Sequence, residues 1–285
     1  MNPRNDHEMK TLYISDMDGT LLGPDSKISP RSAHIISGLS ERGTLITVAT
    51  ARTPATVVPL MQFTATNVPA IVMTGAGLWD RRGARFCRAT FLDNDEYRTV
   101  RGILAGHGLH PFVYTLGPGG NHLDVFHDAK RMTPSEEEFY GMRKHLTIKT
   151  FHNGVPVPSE RVSRTMLMYC NGRPEHIYEV AEMIRRATTC TVSSYPDIFE
   201  AETAHLEVLA QGVSKAAAAL ELKKITGAGS LTVFGDNLND LSMFEVADTA
   251  VAVGNALPQV RERADVVIDS NTSDAVARYI EQNIS

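Results

Sequence analysis

The stretch Leu12-Tyr13-Ile14-Ser15-Asp16-Met17-Asp18-Gly19-Thr20-Leu21-Leu22 decides the fold. An apolar run rich in strand formers stops abruptly at two carboxylates that flank a single residue, and packing alone gives a buried strand no reason to end so. A strand ending here puts Asp16 at its carboxyl end, where open α/β sheets hold their ligands, and Gly19 lets the chain turn sharply away. Both acids then face one small crevice. Carboxylates this close repel each other, and the remedies are a bound proton or a divalent cation with oxygen ligands, Mg²⁺ being the expected one. Taken alone, Asp-X-Asp is also a surface-turn pattern, so the rest of the chain has to decide.

At 285 residues with 42 % apolar side chains, the chain can bury a full core and is expected to form two domains. The formal net charge of −5 and the dispersed basic residues give neither a nucleic-acid stripe nor a polybasic membrane anchor, so the expected partner is a small molecule. A monomer or homodimer is expected. The first nine residues are polar and no apolar run approaches the roughly 20 residues of a membrane span, so neither secretion nor insertion is expected. Cys87, Cys170 and Cys190 are odd in number and widely spaced, which fits buried reduced thiols of a cytoplasmic protein and gives no zinc pattern.

Working outward from the opening strand, Ser29-Pro30 reads as an N-cap and first helical position, with Ile35, Ile36 and Leu39 on one face and Gly43 as the stop. Leu45–Ala49 is a continuous strand covered on both faces. Strand, helix, strand implies a parallel pair, and Thr50 at the end of the second strand reaches the same crevice. By itself Thr50 reads as a strand-end hydroxyl serving local backbone; with the acids beside it, it reads as a donor to a phosphate oxygen. A third run, Ala70–Met73, ends in the flexible turn Thr74-Gly75-Ala76-Gly77, and Leu78–Asp80 with Arg85–Cys87 reads as a hairpin leaving the core.

From about residue 89 to 205 the pattern changes. Helical stretches near Asp95–Gly106, Ser135–His145 and Glu175–Ala187 alternate with strands at Arg164–Tyr169 and Thr189–Ser193, which reads as an α/β domain inserted into the first. Gly117-Pro118-Gly119-Gly120-Asn121 lacks a following Lys-Ser/Thr and reads as a hairpin tip, and His122, Asp124 and His127 read as an alternating surface strand. The core is expected to resume near Leu206–Leu209. Ser214 then caps a helix that begins with Lys215, an unfavourable place for a cation unless an anion is bound nearby, a solvated lysine being the other reading. Leu231–Gly235 is another apolar strand, and Asp236-Asn237-Leu238-Asn239-Asp240 loads its carboxyl end with oxygen ligands. A strand at Ala250–Val253, a helix from Pro258, a strand at Val266–Ile268 and a helix after Thr272 complete a doubly wound, parallel, Rossmann-like α/β sheet with an inserted α/β domain.

These motifs together resemble the haloacid dehalogenase superfamily, and most closely its Cof-like branch. Asp16–Leu22 matches the first motif and Thr50 the second, with Ala51 where the branch commonly has glycine before Arg52. Thr74 stands where the branch usually has the asparagine of Asn-Gly-Ala. Gly212-Val213-Ser214-Lys215 matches the third motif, and Gly235-Asp236-X-X-Asn239-Asp240 the fourth. The resemblance implies a catalytic core of residues 1–88 and 206–285 with a cap of 89–205. It also implies a Mg²⁺-dependent phosphatase that hydrolyses a small phosphorylated metabolite, such as a sugar phosphate, through an aspartyl phosphate.

In that scheme Asp16 is the nucleophile and Asp18 the acid–base group. Asp16 and Asp236 give carboxylate ligands to the metal and Asp18 its backbone carbonyl, while Asp240 holds a metal-bound water or Lys215. Thr50, Lys215 and Asn239 bind the phosphoryl oxygens, with Thr74 and Gly75 also at the substrate. An acid at Asp18, where the related ion-pumping ATPases have lysine, points to rapid dephosphorylation. The alternatives are a phosphomutase of the same superfamily and a phosphometabolite-binding regulator without turnover; the intact acids at Asp16, Asp18 and Asp236 weigh against the regulator.

Overall fold

The computed structural model describes residues 10–197, 200 and 202–284. Residues 1–9 and 285 of the expected core, and 198, 199 and 201 of the expected cap, lie outside the described residues. The chain divides into two compact units, one formed by the segments up to Arg81 and from Ser214 onward, the other by Arg82–Val213.

The first unit opens with β1 (Thr11–Ser15), α1 (Pro30–Glu41), β2 (Leu45–Val48), α2 (Pro54–Leu60), β3 (Ala70–Val72) and β4 (Gly77–Asp80). The second contains β5 (Arg85–Ala89), α3 (Asn94–Gly106), β6 (Phe112–Leu116), β7 (Leu123–His127), α4 (Pro134–Arg143), β8 (Lys149–Asn153), α5 (Ser159–Val162), β9 (Thr165–Gly172), α6 (Pro174–Ala187), β10 (Thr191–Pro196) and β11 (Ala204–Leu209). The chain then returns to the first unit with α7 (Lys215–Thr226), β12 (Ser230–Gly235), α8 (Leu241–Phe244), β13 (Thr249–Ala252), α9 (Pro258–Arg261), β14 (Val266–Val267) and α10 (Ala275–Gln282).

Five parallel strands of the first unit run in the order β14-β13-β12-β1-β2, and a parallel bridge from Ala49 to Ile71 links β3 beyond β2. Leu12, Ile14, Leu231, Val233 and Phe234 are fully buried, as two-sided coverage of a parallel sheet requires. The chain leaves β1 toward β2 on one side and later returns to place β12 on the other, so the strand order reverses between β1 and β12. Open α/β sheets bind ligands outside the carboxyl ends of the strands at such a reversal. The caps are those the sequence indicates: Ser29 Oγ accepts from Ser32 N at 2.9 Å ahead of α1, and Ser214 Oγ accepts from Ala217 N at 3.0 Å ahead of α7.

The second unit is built on a six-stranded sheet, β10-β11-β9-β6-β7-β8, antiparallel except for the parallel β7–β8 pair. On one face Val113, Phe126, Met168, Cys170, Leu206 and Val208 pack with Val100 and Leu104 of α3 and Ile177, Val180 and Ile184 of α6. The hairpin tip at residues 117–122 forms between β6 and β7, closed by Gly117 N donating to His122 O at 2.8 Å.

Three sequence expectations are corrected here. The run Leu206–Leu209 belongs to β11, which pairs with β9 and β10, so the second unit extends to Val213; its apolar alternation suits either sheet, and only the pairing partner decides. Strand β7 is interior, because β8 covers its outer edge, and His127 is buried against Phe112, Tyr140 and Phe151 instead of lying on a surface strand. Cys170 and Cys190 are buried free thiols as expected, whereas Cys87 is exposed on β5. No described helix is long and apolar enough to cross a membrane.

Gly75 carries the turn after β3 against the residue that precedes α7. Its φ is +99°, and a Cβ there would lie 2.2 Å from the backbone oxygen of Ser214. Gly75→Ala is therefore expected to destabilise the protein by about 3 kcal/mol, combining left-handed strain with a clash against backbone that cannot move aside. Gly102→Ala, in α3 with no atom within 4 Å of the new methyl group, is expected to stabilise by about 0.5–1 kcal/mol. Urea denaturation of the two variants checks the contrast; a Gly75→Ala protein as stable as the parent would contradict the packing.

Candidate active site

The carboxyl ends of β1, β2 and β12 and the start of α7 converge on a few polar side chains. Asp16 follows β1, and its N–H donates to Phe234 O at 2.9 Å, fixing it beside the end of β12. The chain then turns tightly over Met17–Leu21, with Leu22 N donating to Met17 O at 2.8 Å. Gly19, at φ +76°, makes the turn possible and leaves no room for a side chain, since a Cβ would come within 2.3 Å of Asp236 Oδ2. The first and fourth motifs therefore touch across that glycine.

Lys215, the first residue of α7, is 2 % exposed and donates from Nζ to Asp16 Oδ1 at 2.6 Å and to Asp240 Oδ1 at 2.9 Å. The solvated-lysine reading is thereby set aside. Asp240 is fully buried, and its second oxygen accepts from the backbone N–H groups of Asp236 and Asn237 at 3.1 and 3.2 Å, so it braces the loop after β12 while holding the ammonium. Asp236 Oδ1 accepts from Thr20 Oγ1 at 2.8 Å.

Asp16, Asp236 and Asp240 each offer an oxygen within 4.8 Å of the others. Burial pushes the Asp16 carboxyl well above the usual carboxylate range; the Lys215 ammonium draws it back, and Asp240 and Asp236 push it up again. Burial also disfavours the charge on Lys215, but Asp16 and Asp240 outweigh it and hold the ammonium protonated far above the ordinary lysine range. Asp236 is pushed up to about 6, chiefly by burial, with the Thr20 hydroxyl opposing and Asp240 reinforcing. Three carboxylates against one ammonium leave negative charge uncompensated in a cluster made wholly of oxygen donors. That donor set fits a hard divalent cation.

Asp18 points elsewhere. Its carboxylate receives a bidentate pair of bonds from Arg52, Nη2 to Oδ1 at 2.6 Å and Nε to Oδ2 at 2.8 Å, and its side chain is 53 % exposed. Thr50 is 1 % exposed; its hydroxyl accepts from Arg52 N at 3.1 Å, and its backbone oxygen accepts from Thr74 N at 3.1 Å. Thr50 thus ties the end of β2 to the turn that carries Thr74 and Gly75. Met73, Thr74 and Gly75 are consecutive left-handed residues, at φ of +52°, +57° and +99°. A β-branched threonine is costly in that conformation, whereas asparagine accepts it readily. Asn239 lies on the exposed part of the loop after β12.

Three further residues here were not singled out from the sequence as site residues. Arg52 holds Asp18, Thr20 holds Asp236, and Asn255 donates from Nδ2 to Gly19 O at 2.7 Å, anchoring the turn from the loop after β13. Arg52 lies two residues after Thr50, which is the one spacing signal available; Thr20 and Asn255 carry none, because their partners are distant in sequence.

Replacing Lys215 by Met is expected to cost about 3–5 kcal/mol at pH 7, because Asp16 and Asp240 would be left buried without their cation. The sign of the pH dependence follows from the acids. Without Lys215 to oppose it, burial makes the Asp16 carboxyl favour protonation in the folded state, so the loss shrinks as pH falls toward 5 and grows toward pH 8. Urea melts of metal-free parent and variant at pH 5 and pH 8 measure this; an equal loss at both would remove the coupling.

The sequence profile of the haloacid dehalogenase-like hydrolases matches residues 13–280. The chain is 26 % identical to the pyridoxal phosphate phosphatase of Escherichia coli, covering 95 % of this chain and 98 % of the relative. It is also 26 % identical to the 5-amino-6-(5-phospho-D-ribitylamino)uracil phosphatase of Bacillus subtilis, covering 97 % and 99 %. A crystal structure of a Thermotoga maritima protein shares the fold with a TM-score of 0.76 at 22 % identity, over 97 % of this chain and 98 % of that one. Four motifs brought to one sheet end, and a family match running nearly from end to end, place this chain among the haloacid dehalogenase-like hydrolases.

Proposed function

We propose that this protein is a Mg²⁺-dependent phosphatase that hydrolyses a small phosphorylated metabolite through an aspartyl phosphate on Asp16. The observation that carries the reading is the buried set of Asp16, Lys215, Asp240 and Asp236 at the strand reversal, in a family of hydrolases whose curated relatives are phosphatases.

Phosphate monoesters resist hydrolysis because an anionic nucleophile is repelled by an anionic phosphoryl group, so the site has to supply alignment and positive charge. Asp16 and Asp236, with the backbone carbonyl of Asp18, would hold Mg²⁺, which when bound neutralises charge on the phosphoryl oxygens. Asp16, fixed by Lys215 and by its own N–H to Phe234, attacks phosphorus as a carboxylate and needs no base. Lys215 is placed to follow the charge from the Asp16 oxygen to the phosphoryl group as the new bond forms. Thr50 and Asn239 donate to the other phosphoryl oxygens.

Asp18 protonates the departing alkoxide and, once ionised, takes a proton from the water that attacks the aspartyl phosphate. Arg52 grips both Asp18 oxygens through two hydrogen bonds. The first step requires that bidentate pair to loosen so that Asp18 can carry a proton.

Leaving-group dependence separates the two acids. Asp16→Asn is expected to abolish turnover of every ester. Asp18→Ala should slow sugar-phosphate hydrolysis by about 10²–10⁴-fold while still transferring phosphoryl groups from an aryl ester, whose phenolate leaves without a proton. Rapid mixing of that variant with aryl phosphate should give a burst of phenolate approaching one equivalent, with the phosphoryl group on Asp16 by mass spectrometry. Parent-rate hydrolysis of sugar phosphates by Asp18→Ala would remove its acid–base role. Excess chelator should abolish turnover in the parent, and full activity without divalent metal would end the Mg²⁺ assignment.

A further inference from the structure

Lys149 opens β8 and is 5 % exposed, yet its ammonium makes no hydrogen bond or ion pair with any described residue. Its register with Leu123 puts it on the face of the six-stranded sheet opposite α3 and α6, the face that also carries Val125, Tyr114 and Phe112. Two residues along the strand, the Phe151 ring lies with its centroid 5.1 Å from Lys149 Nζ. The charged neighbour that acts on Lys149 is another cation, Arg143 at the end of α4, whose guanidinium sits 4.1 Å over the Phe139 ring. Burial, then Arg143, lowers the Lys149 pKa to about 8.

A buried ammonium is ordinarily paired, because contact with an aromatic ring offsets only part of its lost hydration. Here a second cation stands nearby, and the partly exposed rings of Phe139 and Phe151 lie against Arg143 and Lys149, Phe139 packing on the buried rings of Phe112 and Tyr169 at 5.4 and 4.9 Å between centroids. Methionine or leucine would fill the same space at lower cost if packing were the only demand. We propose that Lys149 is the anion-binding residue of a ligand site on this face of the second unit, taking a carboxylate or phosphate group of a small organic anion, with the partly exposed Phe139 and Phe151 rings beside its organic body. The ligand is a small organic acid held within the second unit.

The experiment compares parent, Lys149→Met and Lys149→Arg. Calorimetry of the metal-free proteins with malonate, a dianion without a phosphoryl group, should show binding to the parent and to Lys149→Arg, and at least tenfold weaker binding to Lys149→Met. Lys149→Met should melt no lower than the parent, since it removes an unpaired buried charge; a lower melting temperature with undiminished malonate binding would make the lysine structural and overturn the proposal. No malonate binding to the parent would overturn it as well.

Discussion

A single ammonium, that of Lys215, lies buried between the carboxylates of Asp16 and Asp240, and the first unit is arranged around it. Its partners come from the ends of β1 and the loop after β12, and Lys215 itself begins α7, so three segments far apart in sequence have to arrive together. Removing one member leaves a buried charge without its counterion, which costs far more than the pair contributes by itself. This explains why the surrounding backbone is so closely specified. Gly19 exists to let the turn pass Asp236, Gly75 to let another turn pass Ser214, and Asp240 uses its spare oxygen to hold the N–H groups of Asp236 and Asn237.

The acids were legible because each stands where an apolar strand stops without a packing reason. Asp16, Asp236 and Asp240 follow such endings, and Lys215 follows a capping serine in a position the helix dipole disfavours. The parallel order of the first unit was legible for the same reason, since strand, helix and strand in succession leave few topologies open. What could not be read was partnership. The run at Leu206–Leu209 has the apolar character of a core strand and pairs instead with β9 and β10 of the other sheet. His127 alternates like a surface strand and is buried because β8 closes the edge beside it. Thr20, Arg52 and Asn255 matter through bonds to residues about 34 to 236 positions away, and no local pattern encodes such distances.

Thr74 shows a different kind of departure. A threonine occupies a left-handed position between Met73 and Gly75, both also at positive φ, and the turn persists because Met73 N and Thr74 N donate to the backbone oxygens of Arg52 and Thr50. Strain of this sort survives only where surrounding bonds over-determine the backbone. Here those bonds join the second motif to the turn after β3, so the strain falls on the segment that positions Thr50.

The two acids of the opening motif are separated by one residue and end in opposite surroundings. Asp16 is 6 % exposed, stripped of water and dependent on Lys215, while the Asp18 side chain is half in solvent and held by Arg52. One tight turn creates the difference, because Gly19 reverses the chain immediately after Asp18. Groups kept chemically distinct in this way can take different roles within one reaction. A desolvated carboxylate oriented by a fixed cation suits a nucleophile that must not exchange protons with bulk water. A carboxylate half in solvent suits a group that has to exchange a proton in each cycle, once its pair of bonds to Arg52 loosens. Under the proposed chemistry, Arg52 then has a part that neither acid can play alone: its two hydrogen bonds fix where the Asp18 carboxylate stands when it meets the attacking water, and so favour clearing the aspartyl phosphate instead of storing it.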